Sequence, residues 1–221
     1  MTAVFLAACG RHDGSRQGYD LLPGADQPVG DTGLSVSAFA ERQIDNYLKY
    51  GMDERTGLPY HGYLLEKTSD GDHTSVKKGL IGWGRAVGFL LMGMSEICRV
   101  TEISGENSHD SRTEQMDQLI RNVLSFRRQD GLFSWLLTAP EGHIDTSASA
   151  MIGWAMHNRG DASADEADSI QRIAEGLRQH ITEDGRVTDC LAECVDFAEH
   201  PQRYGTYPWG QGAVTAFLSH L

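Results

Sequence analysis

The sequence predicts an all-α fold, a toroid of helical hairpins, on three observations. The first is a repetition: an amphipathic run ends in a Gly turn, at Thr56-Gly57, Asp130-Gly131 and Asp184-Gly185, and a second helix then opens. The openings are alike in being small or Trp-rich: Gly82-Trp83-Gly84-Arg85, Asp145-Thr146-Ser147-Ala148 and Trp209-Gly210-Gln211-Gly212. The second is that the helical runs alternate in texture, one apolar nearly all round, the next with a single apolar stripe. The third is that the turns are unevenly spaced, which excludes a solenoid of fixed period and suits hairpins with loops of unequal length. In such a toroid a site forms around the starts of the inner helices.

The run 83–100 is the clearest inner helix. Val87, Leu90, Leu91, Met94, Ile97 and Cys98 follow helical spacing. Gly84, Gly88 and Gly93 lie inside it, each costing about 1 kcal/mol against Ala in a helix interior. Their presence implies close packing against neighbours or room for a ligand. The next run, 112–128, carries one stripe of Met116, Leu119, Ile120, Val123 and Leu124, as an outer helix should. The pair repeats with an inner helix over 146–159 and an outer one over 164–180, reached through an acidic loop and helix start. A last inner helix covers 209–221. Earlier in the chain, Val36, Phe39, Ala40, Ile44, Tyr47 and Leu48 make the stripe of an outer helix over 36–50, stopped by Gly51. Its inner partner is expected at 3–9, and 11–30 is a long loop rich in Gly, Asp and Pro. The count is about seven helices, three hairpins plus one.

Composition sets the limits on function. The chain has 221 residues, enough for one domain over 1–221 with a substantial core. A formal charge of −12 argues against a nucleic-acid partner, and any anionic ligand needs a local cation to hold it against the overall field. No run approaches the ~20 apolar residues of a membrane span. Leu6-Ala7-Ala8-Cys9 looks like a lipoprotein cleavage site, but no basic residues precede it, so a helix end is the favoured reading. A cytoplasmic location is favoured over a periplasmic one. Cys9, Cys98, Cys190 and Cys194 form no CxxC pair, and no metal site is expected. Cys190 and Cys194, near Asp189, Glu193 and His200, read as loop thiols or a bridge. Neither a P-loop nor a nucleophile elbow is present, and the Gly-rich block at 82–88 is preceded by no predicted strand.

The run 53–63, from Asp53 through Thr56-Gly57 and Leu58-Pro59-Tyr60-His61 to Tyr63, and the block Gly82-Trp83-Gly84-Arg85-Ala86-Val87-Gly88-Phe89 resemble glycoside hydrolase families 88 and 105. These are the unsaturated glucuronyl and unsaturated rhamnogalacturonyl hydrolases. Gln129-Asp130-Gly131-Leu132-Phe133, Asp145-Thr146-Ser147-Ala148 and Tyr207-Pro208-Trp209-Gly210-Gln211-Gly212 are similar to later elements of family 105. The resemblance implies an (α/α)6 barrel, of which this chain is the C-terminal part with about seven of twelve helices. The family's acid is an Asp before an inner helix that often continues through Met and then Phe-Leu. Met1-Thr2-Ala3-Val4-Phe5-Leu6 is similar to the opening of that helix, so the resemblance implies that the acid stands upstream of Met1.

The implied substrate is an acidic oligosaccharide bearing a C4=C5 unsaturated uronic acid at its non-reducing end, and the implied reaction is hydration of that double bond. No cofactor is required. One carboxyl serves as acid and then base, unlike the paired carboxylates of ordinary glycoside hydrolysis. Arg85 is the candidate grip for the substrate carboxylate through its bidentate fork, with a salt bridge inside the barrel as the alternative. His61 would donate to the sugar or position water. Trp83, Phe89 and Trp209 would give aromatic surface to a sugar ring, with Tyr207 and His143 at the same mouth. Asp31 precedes an outer helix, whose start lies at the wrong end for catalysis. Asp145 begins an inner helix but reads as its N-cap. No residue is therefore assigned as the catalytic acid. A remnant that binds sugars without turnover, and another α/α-toroid enzyme such as a sugar epimerase, are the competing functions. The oligomeric state is not set by the sequence.

Overall fold

The computed structural model describes residues 36–104, 109–197 and 199–221. Within them, helices α1 (Val36–Tyr50), α2 (Gly84–Ser104), α3 (His109–Leu124), α4 (Thr146–Asn158), α5 (Ala164–Arg178) and α6 (Pro208–Ser219) form an arc of an α/α toroid. The expected helix over 3–9 lies outside the described residues, as does Asp31.

The alternating texture of the sequence becomes two layers. Helices α2, α4 and α6 lie side by side as the inner layer, with α3 covering α2 and α5 covering α4. Helix α4 buries an unbroken run from Thr146 to Gly153, whereas α5 buries the stripe Ile170, Ile173, Ala174 and Leu177 and leaves most of its other residues in solvent. The inner helices approach closely because small residues face each other. A Cβ on Gly84 would lie 2.7 Å from that of Ala148, one on Gly88 2.6 Å from that of Met151, and one on Gly153 2.7 Å from the Phe217 ring. The glycines of α2 that face α4 thus serve packing, the first of the two roles open to them.

Each helix end has a physical stop or start. The Gly51 amide closes α1 on the Tyr47 carbonyl. Ser163 caps α5 in a reciprocal box with Glu166, satisfying two donors that a helix start leaves free. Arg159, just past α4, joins Asp117 of α3 and, at 2.8 Å, Glu166 of α5, so one guanidinium ties three helices. Arg112 links α3 to Glu41 and Asp45 of α1, 3.3 Å from each.

One feature has no counterpart in the helical reading. The connection into α2 is an antiparallel hairpin, β1 (Tyr60–Lys67) and β2 (His73–Ile81). A short second ladder joins β3 (Cys190–Leu191) to β4 (Tyr204–Gly205). Alternation is weak in β1, whose Leu64 and Leu65 are both exposed, so periodicity gave no strand signal there. No helix among the described residues is long and apolar enough to cross a membrane.

Candidate active site

The starts of the inner helices meet at one end of the arc, and local hydrogen bonding fixes their side chains. Gly82, in the left-handed region at φ 71°, donates its amide to the Pro59 carbonyl and accepts from the Leu137 amide. The Gly84 amide donates to the Trp135 carbonyl at 2.8 Å. These bonds clamp the entry to α2 between two loops and set the directions of Trp83 and Arg85. The start of α4 is fixed by Asp145, whose Oδ1 accepts from the Ser147 amide at 3.0 Å, the Ser147 hydroxyl at 2.6 Å and the Leu191 amide at 3.3 Å.

Arg85 is only 4% exposed. Its Nη1 and Nη2 donate to the carbonyls of Leu191 and Ala192, each at 2.6 Å, and Nη1 stands 3.7 Å from Asp145 Oδ2. The guanidinium carbon lies 5.1 Å from the centre of the Trp83 ring and 5.5 Å from that of Trp209. The fork that the sequence offered to a substrate carboxylate is thus turned onto the backbone. The cause is the end of β3 and the residue after it, which pass over the helix starts and present the Leu191 and Ala192 carbonyls at the spacing of the guanidinium. Burial pushes the Asp145 carboxyl above the usual range, opposed by Arg85, Ser147 and the Leu191 amide.

Around this pair the aromatic side chains gather. His61 packs on Trp83 with ring centres 4.3 Å apart, and Tyr207 stacks on Trp209 at 4.8 Å and 9°. Trp209 Nε1 donates to the Leu191 carbonyl at 3.1 Å. So the structure brings His61, Trp83, Arg85 and Trp209 together at the end of the toroid where they were expected. Phe89 lies further along α2, half-buried, and among the described residues makes no ring contact with this group. His143 sits at the start of α4, stacked on Tyr204 at 3.8 Å, with Nε2 3.5 Å from Asp189 Oδ1.

Several members of the cluster were not assigned to the site from the sequence. His200 lies 5.0 Å from Trp83, 5.3 Å from His61 and 5.6 Å from Trp135, ring centre to ring centre. The Phe197 carbonyl accepts from both histidines, from His61 Nδ1 at 3.2 Å and His200 Nε2 at 3.3 Å. Burial lowers the pKa of each imidazole, and Arg85 adds to the effect. Asp189 is the one described non-glycine residue at positive φ, 55°, and its carboxylate takes hydrogen bonds from His180 and Thr188. Burial pushes Asp189 up, but those bonds outweigh it and leave the carboxyl below its ordinary value. Asp189 and His200 stood out in the sequence only as neighbours of Cys190 and Cys194. Nothing in local spacing placed them at this site, because only the packing of the helices brings their loop onto Trp83 and His61.

Cys190 and Cys194 are free thiols, not a bridge. Among the described residues no group of three or more His, Cys, Asp or Glu is placed to hold a metal ion. A cavity of about 170 Å³, lined by Cys98, Thr113, Met116, Asp117, Arg159 and Asp161, lies toward the far end of α2, away from the aromatic cluster.

Comparison with known proteins accords with this arrangement. Residues 35–221 match the family model for Glycosyl Hydrolase Family 88. The unsaturated rhamnogalacturonyl hydrolase YesR of Bacillus subtilis (strain 168) is 25% identical over 189 residues, which are 81% of this chain and 51% of that protein. Among solved structures, a possible member of the GH105 family from Klebsiella pneumoniae subsp. pneumoniae MGH 78578 superposes with a TM-score of 0.69 at 18% identity, over 84% of this chain and 49% of that one. The unsaturated glucuronyl hydrolase of Bacillus sp. GL1, responsible for the degradation of glycosaminoglycan, gives 0.60 at 15%, over 83% and 52%. The chain spans about half the length of these relatives. At such identities the structural likeness shows the fold, which is that of the (α/α)6 barrel.

Proposed function

The chain belongs to Glycosyl Hydrolase Family 88, and on that premise we propose that it acts on the unsaturated uronic acid left at the non-reducing end of lyase-cut oligosaccharides. The chemistry is hydration: a proton adds at C4, water adds at C5, and the hemiketal so formed collapses to release the neighbouring sugar. The observation that carries the reading is the Arg85 guanidinium, fixed between Trp83 and Trp209 at the inner-helix starts of a chain with net charge −12. Arg85, met by Asp145, anchors this end, and the half-buried Trp209 and His61 set beside it are groups of the kind a sugar face and its hydroxyls engage.

In this proposal Trp209 furnishes the apolar surface, the buried Trp83 backs the His61 ring, and His61 hydrogen-bonds the sugar or its water. Arg85 holds the helix starts and β3 in place beneath the rings, since its fork is taken by Leu191 and Ala192 and its charge is met by Asp145. Asp145 is not proposed as the acid: it is fully buried, and one of its oxygens is committed to the α4 start and β3. The relatives include both rhamnogalacturonyl and glucuronyl hydrolases, so both substrates belong in the assay.

The test follows loss of the conjugated uronate's ultraviolet absorbance with mixed lyase-produced disaccharides. Decay that is lost in His61→Ala supports hydration. Saturable binding without decay favours the sugar-binding remnant. A folded protein that neither binds nor consumes any unsaturated uronate overturns the proposal.

A further inference from the structure

Two nitrogens in the cluster are buried without a hydrogen-bond partner among the described residues, Trp83 Nε1 and His200 Nδ1. Their complementary roles follow from chemistry. An indole nitrogen is only a donor. The His200 tautomer is set by its other nitrogen, because Nε2 must carry a proton to reach the Phe197 carbonyl. With the ring neutral, Nδ1 is then a bare acceptor. Neutrality has a structural basis, since the Phe197 carbonyl already takes His61 as well, and Arg85 stands behind Trp83. Among the described residues no carboxylate hydrogen-bonds the His200 ring, and the groups facing it through charge are His61 and Arg85.

An unsatisfied buried donor or acceptor carries a cost comparable to a lost hydrogen bond, and Trp83 is 5% exposed. Here the donor and the acceptor belong to rings whose centres are 5.0 Å apart. A hydroxyl is the group that answers both, accepting from an indole N–H and giving its proton to an imidazole nitrogen. A carboxylate or a carbonyl answers only the indole, and an ammonium only the imidazole.

We propose that His200 is a further substrate-positioning residue, and that with Trp83 it reads one hydroxyl of the bound sugar. The inference rests on the uronyl-hydrolase reading and deepens it. Surrounding rings seal both nitrogens, so the hydroxyl engages as the half-buried His200 ring, held by a single hydrogen bond, turns toward it.

The experiment titrates the whole chain with unsaturated galacturonyl-rhamnose and unsaturated glucuronyl disaccharides, followed by tryptophan fluorescence, alongside long-range ¹⁵N spectra of the histidines. Binding should move the His200 Nδ1 resonance in the direction of an accepted hydrogen bond. His200→Phe, which keeps a ring but no acceptor, should weaken binding about tenfold. His200→Asn, which restores an acceptor near the same position, should recover most of the loss. Saccharide binding with the Nδ1 signal unmoved, or with the Phe variant as tight as the parent, overturns the inference and leaves the functional proposal standing. Absence of binding by the folded parent chain overturns both.

Discussion

Asp145 and Arg85 face each other at the starts of neighbouring inner helices, 3.7 Å apart and both buried. The pair is asymmetric. Arg85 has two backbone carbonyls as further partners, whereas Asp145 Oδ2 has no hydrogen bond among the described residues. Removing either partner leaves a buried charge without its counter-charge, but Arg85 keeps two carbonyl acceptors whereas Asp145 Oδ2 keeps none among the described residues, so loss of the cation costs more.

Arg85→Met should destabilise the chain by about 3–5 kcal/mol, the usual cost of leaving one buried charge unpaired. Asp145→Asn, which keeps an N-cap acceptor, should cost far less. In the double variant the coupling should recover about 1–3 kcal/mol of the Arg85 loss. Urea unfolding of the four proteins measures all three quantities, and additive effects would show that the pair is not coupled.

The glycines of the inner layer give a sharper contrast. Gly88→Ala places a methyl 2.6 Å from Met151 Cβ and should cost about 1–3 kcal/mol through overpacking between α2 and α4. Gly212→Ala, in α6 with nothing among the described residues within 4 Å of the new carbon, should be neutral or stabilise by up to about 1 kcal/mol. Thermal melts that moved together would refute the close helix contact.

Ser163→Ala removes the hydroxyl half of the α5 capping box. A loss of about 1 kcal/mol is expected. Because Glu166 also holds Arg159, a Glu166→Ala exchange should cost more than Ser163→Ala, and denaturant midpoints will rank them.

The histidine pair gives the pH dependence a sign. His61 and His200 have folded pKa values below the ordinary one of about 6.5, chiefly through burial. The unfolded chain therefore binds protons that the folded one refuses. Their contribution to stability is complete above about pH 6.5 and is lost as the pH falls from there through the folded values. Unfolding midpoints taken between about pH 8 and pH 5 should fall less steeply in His200→Phe than in the parent. Equal slopes would mean that His200 titrates normally.

The framework was open to the sequence because helix periodicity and turn chemistry are local. The stripe through Ala40 and Ile44 marked α1 as an outer helix, and Gly57 and Gly131 marked turns that take left-handed backbone, at φ 64° and 85°. The Gly-Trp-Gly-Arg block likewise announced that Trp83 and Arg85 share an end with Trp209. Tertiary structure alone decided what each side chain does there. Only folding lays Leu191 and Ala192 across the α2 start, so only folding could turn the Arg85 fork from a ligand to the backbone. Only folding brings His200 onto Trp83, since their loops are far apart in sequence and meet through the packing of three inner helices. Local pattern sets which residues belong to an element and which face is apolar. Partners are set by non-local contacts, and a buried polar group shows whether it is spent or available only once those contacts are made.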